Sequence, residues 1–148
     1  NRSRIIDRKG DELMKQLEVV AAILTYNGNI LCMQRGKGKY PYVSFKYEFP
    51  GGKIEPGESR HAALERELRE EMNIHTTKES DLYMTVHHQY PDFAITMHAF
   101  YCPLSSPEFI RKEHIASCWL PPQELPSLDW AAADQPIMEK LVSESKPD

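Results

Sequence analysis

The sequence predicts one α+β domain with a mostly antiparallel sheet, a long central helix and a C-terminal helix. Three observations support this class. The length of 148 residues suits a single domain, short apolar runs alternate with turn signals as strands do, and one segment repeats apolar residues at helical spacing. Hydrophobic residues make up 41% of the chain, which argues against a disordered or fibrous protein.

The first part of the chain predicts strands separated by a hairpin turn and a glycine-rich loop. The predicted elements are, in order, a buried strand (17–24), a hairpin turn (Asn27-Gly28), the return strand (30–34), a surface loop (35–47), and Glu48-Phe49 leading into a turn at Pro50-Gly51-Gly52. The Asn-Gly pair is the strongest of these signals, because both residues tolerate the left-handed backbone of a tight hairpin turn.

The second part of the chain predicts both helices and the remaining strands. The predicted elements are the central helix (59–72), two antiparallel strands (82–89 and 93–101) joined across 90–92, a short strand (115–120), a helical turn (121–125) and a C-terminal helix (134–142) with Pro136 in its first turn. We therefore expect an N-terminal arm at residues 1–16, one domain at 17–142 and a tail at 143–148.

Charge and cysteine usage narrow the class of partner. The formal net charge of −4 is a poor match to a general nucleic-acid-binding protein. No apolar run approaches the roughly 20 residues of a membrane span, and residues 1–16 contain no apolar signal-peptide core. Cys32, Cys102 and Cys118 lack CxxC spacing and lie in apolar runs, which is typical of buried thiols. We therefore expect a cytoplasmic protein without nucleic-acid or membrane partners.

The predicted central helix carries three carboxylates beside its apolar stripe. At roughly 100° per residue, the stripe that packs on the core consists of Leu64, Leu68 and Met72. Glu67, Glu70 and Glu71 fall in an arc about 100° wide at the edge of that stripe. Because like charges at this spacing repel, the arc is either a solvated face with salt bridges or a site for a hard divalent cation.

The segment around this helix carries a more specific signal. It reads Gly52, five residues, Glu58, seven residues, Arg66-Glu67-Leu68, one residue, Glu70-Glu71, one residue and Asn73-Ile74. This resembles the Nudix box, Gly-x5-Glu-x7-Arg-Glu-aliphatic-x-Glu-Glu-x-Gly-aliphatic, in eight of nine specified positions. The departure is Asn73, where the family has Gly, and Asn is the next-best residue for a left-handed backbone at the end of a helix.

The resemblance extends over roughly residues 17–142 and is greatest to MutT-type nucleoside triphosphate pyrophosphohydrolases. It implies an α/β/α sandwich and a Mg²⁺ cofactor, which Mn²⁺ can replace. The implied metal ligands are the carbonyl of Gly51 or Gly52 and the carboxylates of Glu67, Glu70, Glu71 and Glu113. The implied catalytic residues are Glu67, Glu70 and Glu113, whereas Gly52, Glu58 and Arg66 are structural. The alternative for Glu113 is an ordinary surface charge.

Five residues outside the acidic arc are candidates for substrate binding. Arg35 and Lys53 are candidates for phosphate contact, and Tyr90 and Phe93 for stacking on the base. In the MutT-like pattern the residue matching Asp134 faces the base. The alternatives are exposed loop cations for the first pair, simple packing for the aromatic pair, and a helix N-cap for Asp134.

The resemblance implies a Mg²⁺-dependent enzyme that hydrolyses (deoxy)nucleoside triphosphates, cytosine-type or oxidised such as 8-oxo-dGTP, to the monophosphate and pyrophosphate, and so cleanses the nucleotide pool. Hydrolysis of ADP-ribose or a dinucleotide polyphosphate is the alternative activity, and a non-catalytic Nudix-fold binding module is the alternative class. The intact box carboxylates favour an enzyme. The expected partner is a small-molecule nucleotide, and the expected assembly is a monomer, with a dimer as the alternative.

Overall fold

The computed structural model of the protein describes residues 15–75 and 80–145. Nearly all of the predicted N-terminal arm and the last residues of the predicted tail lie outside this part. The elements are β1 (Lys15–Tyr26), β2 (Asn29–Gln34), β3 (Tyr47–Glu48), β4 (Gly51–Lys53), α1 (Arg60–Met72), β5 (Asp81–Gln89), β6 (Phe93–Pro103), β7 (Ala116–Leu120), 3₁₀ turns at Pro122–Ser127 and Ala132–Asp134, and α2 (Gln135–Ser145).

The seven strands form one mixed sheet in which β1 is the central member. The path through the sheet is β3-β2-β1-β6-β5, with β4 also pairing β1 and β7 pairing β2. The β1–β6 pair is parallel and the other pairs of named strands are antiparallel, which confirms the predicted mixed, mostly antiparallel sheet. Along one edge, β1 pairs with β4 at Val19–Ala21 and with β2 only at Thr25 and Tyr26. The strand therefore changes partner along its length.

The two helices pack on opposite faces of the sheet and give an α/β/α sandwich. On one face, α1 buries its apolar stripe in a cluster that includes Val20, Ala22, Leu24, Leu31, Leu64, Leu68 and Met72. On the other face, α2 packs in a cluster that includes Ala21, Ile23, Ile30, Cys32, Ile137 and Leu141. Alternate residues of β1 thus point to opposite cores, and each fully buried large apolar side chain stabilises the fold by about 1.5–3 kcal/mol.

The ends of α1 explain why the departure from the box is tolerated. The Ser59 side chain accepts a hydrogen bond from Ala62 N at 3.1 Å and caps the first turn. Asn73 adopts the left-handed conformation, with φ of 56°, and its N–H donates to Arg69 O. Asn accepts this backbone conformation at a lower cost than most side chains, so α1 ends where a glycine would end it.

Three sequence predictions of local structure are corrected. The predicted turn at Pro50-Gly51-Gly52 is wrong, because Gly51–Lys53 is strand β4. This strand runs so close to β1 that a Cβ at Gly51 would overlap Val20 O. The predicted loop 35–47 ends in strand β3, and β1 begins at Lys15 rather than residue 17. Short glycine strands carry no alternating hydrophobic pattern, so only the pairing partner reveals them.

The three cysteines are free thiols. Cys32 and Cys102 are buried, and Cys118 is half-buried. Burial raises the pKa of the Cys102 thiol to about 11, so this group stays protonated and unreactive at neutral pH.

Within the part of the chain that the structure describes, neither helix has the length and apolar character needed to cross a membrane.

Candidate active site

Two adjoining cavities open where β1 changes partner. The carboxylate cavity, about 530 Å³, is lined by Glu67, Glu71, Glu113, His114 and Lys37 among others. The aromatic cavity, about 380 Å³, is lined by Tyr40, Phe49, Tyr90, Phe93 and Asp134 among others. The two share one wall, formed by Arg35, Glu48, Gly51, Gly52 and Lys53. A ligand with an apolar ring at one end and anionic groups at the other could therefore occupy both cavities.

Glu67 is the most enclosed of the three carboxylates of the predicted arc. Its side chain is 16% exposed, compared with 54% for Glu70. The Glu67 carboxylate lies directly over the backbone of Gly52, so a Cβ at residue 52 would overlap it. Burial is the main cause that raises the pKa of Glu67 above its ordinary value. Glu70 lies one turn further along α1 and is not among the residues that line the carboxylate cavity.

Arg66 ties α1 to the segment that precedes it. Its Nε donates to Glu58 Oε2 at 2.6 Å, its Nη1 to Glu67 Oε2 at 2.9 Å, and its Nη2 to Lys53 O at 2.9 Å. The hydrogen bond from Arg66 lowers the pKa of Glu58 to about 2. One guanidinium therefore fixes the Glu67 carboxylate relative to strand β4.

Glu113 comes from a distant loop and meets the last turn of α1. Lys112 Nζ donates to Glu70 O at 2.8 Å, and Ile110 N donates to Met72 O at 3.0 Å, which anchors the loop on the helix end. A hydrogen bond between the side chains of Glu113 and Glu71 is the largest cause that raises the pKa of Glu71 to about 7. Two carboxyl groups that share a proton in this way are close enough to share a cation instead.

The donor chemistry of the carboxylate cavity fits a hard divalent cation. Glu67, Glu71 and Glu113 offer carboxylate oxygens, and the β4 glycines bring backbone carbonyls to the same wall, which are the ligand types that Mg²⁺ and Mn²⁺ prefer. Among residues 15–75 and 80–145, no three His, Cys, Asp or Glu side chains already surround a point at metal-ligand spacing. Water and phosphate oxygens usually complete the coordination of Mg²⁺, and Arg66 holds the Glu67 carboxylate in place beside β4.

Three rings of a four-ring aromatic cluster, Tyr40, Tyr90 and Phe93, line the aromatic cavity, and sequence analysis selected two of the three. Tyr90 and Phe93 pack at a ring-centroid distance of 4.9 Å, and Tyr40 and Tyr42 complete the stack from the predicted surface loop. Tyr90 is only 6% exposed, whereas Tyr40 and Phe93 are half-buried. The sequence shows that the loop 35–47 contains tyrosines. No local sequence pattern, however, predicts that Tyr40 and Tyr42 pack against the tip of the β5–β6 hairpin.

Asp134 is buried at the inner end of the aromatic cavity. Its Oδ2 accepts a hydrogen bond from Phe49 N at 3.0 Å, and the residue is 4% exposed. Burial is the main cause, followed by the nearby Glu48 carboxylate, that raises the pKa of Asp134 well above its ordinary value. Asp134 directly precedes α2, but the hydrogen bond that its Oδ2 accepts comes from Phe49, next to β3, rather than from the first turn of the helix. This geometry favours a role in the cavity over that of an N-cap.

The shared wall contains an ion-paired group that sequence analysis did not select. Glu48 Oε2 contacts His114 Nε2 at 2.9 Å, and Glu48 Oε1 lies 3.6 Å from Arg35 Nη1. The candidate phosphate contacts, Arg35 and Lys53, both line this wall. The adjacent histidines of β5 have different neighbours: His87 contacts Thr96, and His88 packs against Tyr90.

Comparison with known proteins agrees with this geometry. The NUDIX domain model matches residues 14–141. The chain is 38% identical to a CTP pyrophosphohydrolase of Escherichia coli (strain K12), over 88% of this chain and 94% of that protein. It is 31% identical to an 8-oxo-dGTP diphosphatase of the same strain, over 86% and 98%. The solution structure of the E. coli ORF135 protein superposes with a TM-score of 0.73 at 36% identity, covering 91% of this chain and 96% of that one.

The mixed sheet between two helices, the box helix and these relatives define a Nudix fold with a hydrolase site. The chain belongs to the Nudix family and is a Nudix hydrolase of the MutT type, a pyrophosphohydrolase. The prediction of a Nudix-type α/β/α sandwich is thereby confirmed.

Proposed function

We propose that the protein hydrolyses (deoxy)nucleoside triphosphates, cytosine-type or oxidised such as 8-oxo-dGTP, to the monophosphate and pyrophosphate, and serves nucleotide-pool sanitation in the cytoplasm. The observation that carries this proposal is the wall shared by the two cavities. If the base of a nucleotide occupied the aromatic cavity, its phosphates would lie near Arg35 and Lys53 and extend toward the glutamates of the carboxylate cavity. The names of the two E. coli relatives support this substrate class.

Nudix hydrolases generally use divalent metal ions, and we propose Mg²⁺, with Mn²⁺ as a substitute. The residues that would hold it are Glu67, Glu70, Glu71 and Glu113 with the carbonyl of Gly51 or Gly52. When bound, the ion offsets the charge that builds on phosphoryl oxygens. Residues of the chain position the metal ligands and the substrate. Arg66 orients Glu67, and Lys112 anchors the Glu113 loop on α1. The positive charges of Arg35 and Lys53 would contact the phosphates.

We propose that a glutamate of this set accepts the proton of the attacking water. The candidates are Glu67, Glu70 and Glu113. Glu67 has the enclosed carboxylate with a raised pKa, and such a group is better matched to proton transfer near neutral pH than a fully solvated carboxylate. Glu113 lies opposite, on the loop that meets the end of α1.

We propose that Asp134 reads the base through Oδ1. Asp134 lines the aromatic cavity and its Oδ2 is occupied by Phe49 N, which leaves Oδ1 as the oxygen that would meet the base. A neutral carboxyl offers one donor and one acceptor, whereas an ionised one only accepts. The ionised form suits the amino group of cytosine, and the neutral form tolerates the O6 acceptor of 8-oxoguanine.

The test is a panel of nucleotides incubated with Mg²⁺, with products separated by ion-exchange chromatography. We expect dCTP, 5-modified dCTP and 8-oxo-dGTP to yield the monophosphate and pyrophosphate, and EDTA to abolish turnover. The products in ¹⁸O-water separate the two possible scissile bonds. Release of the diphosphate and orthophosphate, or faster hydrolysis of ADP-ribose or a dinucleotide polyphosphate, would overturn the proposal. Binding without turnover of any of them would assign a non-catalytic module.

A further inference from the structure

Tyr90 lines the aromatic cavity, but its hydroxyl is committed to the backbone beside Asp134. Tyr90 Oη accepts a hydrogen bond from Ala133 N at 2.9 Å, and both residues are buried. A buried amide that loses its partner carries a substantial desolvation penalty. The bond therefore fixes the turn Ala132–Asp134, whose last residue supplies the carboxyl at the inner end of the cavity.

The same turn is fixed independently on its other side. Ala131 N donates to Tyr47 O at 2.9 Å, and Phe49 N donates to Asp134 Oδ2 at 3.0 Å. The β3 segment thus fixes one carboxyl oxygen of Asp134 and the start of the turn. Tyr90 supplies the contact from the hairpin tip, so removing its hydroxyl frees the turn on one side only.

Tyr42 is placed to hold the Tyr90 ring. Its ring lies between those of Tyr40 and Tyr90, 5.2 Å from each, with interplanar angles of 5° and 18°. Its hydroxyl donates to Asp92 Oδ2 at 2.7 Å, at the tip of the hairpin that carries Tyr90. Tyr42 does not itself line either cavity, so its influence on a ligand has to pass through its neighbours.

We propose that Tyr90 is a positioning residue that sets the orientation of the Asp134 carboxyl for base recognition, and that Tyr42 holds the Tyr90 ring in that position. The inference rests on the proposed function, since it concerns how the base is distinguished. It gives Tyr90 a role other than stacking on the base, for which sequence analysis named it a candidate. The half-buried Phe93 and Tyr40 are then the rings available for stacking.

The test removes one hydroxyl and measures base discrimination. In Tyr90→Phe the ring stays and the bond to Ala133 N is lost. We expect the ratio of kcat/KM for dCTP to kcat/KM for 8-oxo-dGTP to change by about 3- to 10-fold, through KM and in the same direction as in Asp134→Asn. A purely structural loss would lower the active fraction and thus kcat for both substrates equally, leaving that ratio unchanged.

The matched control is Tyr83→Phe, which also loses one tyrosine hydrogen bond. The Tyr83 hydroxyl contacts Glu144 of α2, and Tyr83 lines neither cavity. We expect its substrate ratio to equal that of the wild type. Tyr42→Phe keeps the stack but loses the bond to Asp92, and we expect a change of about 2- to 3-fold in the direction of Tyr90→Phe. This milder variant also keeps the test decisive if Tyr90→Phe folds poorly.

The double variant Tyr90→Phe/Asp134→Asn separates this inference from the proposed function. If Tyr90 acts through Asp134, the double variant shows the ratio of Asp134→Asn alone. An unchanged ratio in both Tyr90→Phe and Tyr42→Phe, with a normal shift in Asp134→Asn, would overturn the inference and leave the proposed function intact. A ratio that Asp134→Asn does not move, or a wild type that hydrolyses neither triphosphate, would overturn the base recognition on which the inference rests.

Discussion

The two cavities share a wall but are built in opposite ways. The carboxylate cavity takes Glu67 and Glu71 from one helix, and one arginine, Arg66, orients the carboxylate of Glu67. The aromatic cavity draws its rings and its carboxyl from the loop before β3, the β5–β6 hairpin tip and the turn before α2. Most carboxylates of the first cavity therefore follow from one helix, with Glu113 added by a distant loop, whereas the second cavity depends throughout on contacts between distant segments. Substitutions should accordingly affect turnover in the first cavity and substrate preference in the second.

The largest expected effect is on turnover in the carboxylate cavity. Glu67→Gln and Glu70→Gln keep the shape of the side chain but remove a charge, and each should lower kcat by at least ~10². Far-UV circular dichroism should show a retained fold. Glu65→Gln is the control, because Glu65 is exposed on the same helix and outside both cavities. Near-wild-type turnover in Glu67→Gln or in Glu70→Gln would show that the substituted glutamate is not a ligand.

A smaller effect, on preference alone, is expected at the inner end of the aromatic cavity. Asp134→Asn replaces a carboxyl by an amide with a fixed donor and acceptor. We expect the preference to shift toward 8-oxo-dGTP by about 5- to 150-fold in relative kcat/KM, equivalent to ~1–3 kcal/mol. Steady-state kinetics with dCTP and 8-oxo-dGTP measure it. Equal ratios in the wild type and the variant would reduce Asp134 to a structural residue.

The acidity of Asp134 adds a pH dependence to the same preference. The charged groups that influence this carboxyl are Glu48 and Arg35 on the shared wall, and the Tyr90 hydroxyl lies beside the same turn. Because burial raises its pKa, Asp134 is neutral at low pH and becomes ionised as the pH rises. The preference for dCTP over 8-oxo-dGTP should therefore increase with pH. A ratio that does not change with pH in the wild type, as expected for Asp134→Asn, would contradict this account.

The smallest expected effect is on the stability of the metal-free protein. Folding raises the pKa of Glu71 from 4.5 to about 7, so its contribution to stability is complete below pH 4.5 and is lost as the pH rises through about 7. In EDTA the melting temperature should therefore fall modestly between pH 5 and pH 8. The decrease should be smaller in Glu71→Gln, whose amide can still donate to Glu113. An identical pH profile in both proteins would show that the Glu71–Glu113 pair does not affect stability.

The sequence predicts features that depend on neighbouring residues, but it does not predict the contacts between distant segments. The helix caps at Ser59 and Asn73 and the apolar stripe of α1 follow from residues within one helix. The ion pair of Glu48 with His114 joins residues 66 positions apart, and the bond of Tyr42 to Asp92 joins residues 50 positions apart. No pattern within either segment specifies such a contact. The sequence left open whether Asp134 faces the base or caps α2 for the same reason, since its partner Phe49 lies 85 residues away.

The two adjacent glycines of β4 have a consequence for how this enzyme could evolve. A Cβ at residue 51 would overlap the backbone of β1, whereas the atoms nearest to a Cβ at residue 52 are those of the Glu67 carboxylate. Gly51→Ala should therefore lower the melting temperature, while Gly52→Ala should leave it nearly unchanged and reduce turnover. A single-nucleotide change in codon 52 would thus be enough to convert this enzyme into a protein with the same architecture that binds nucleotides without hydrolysing them.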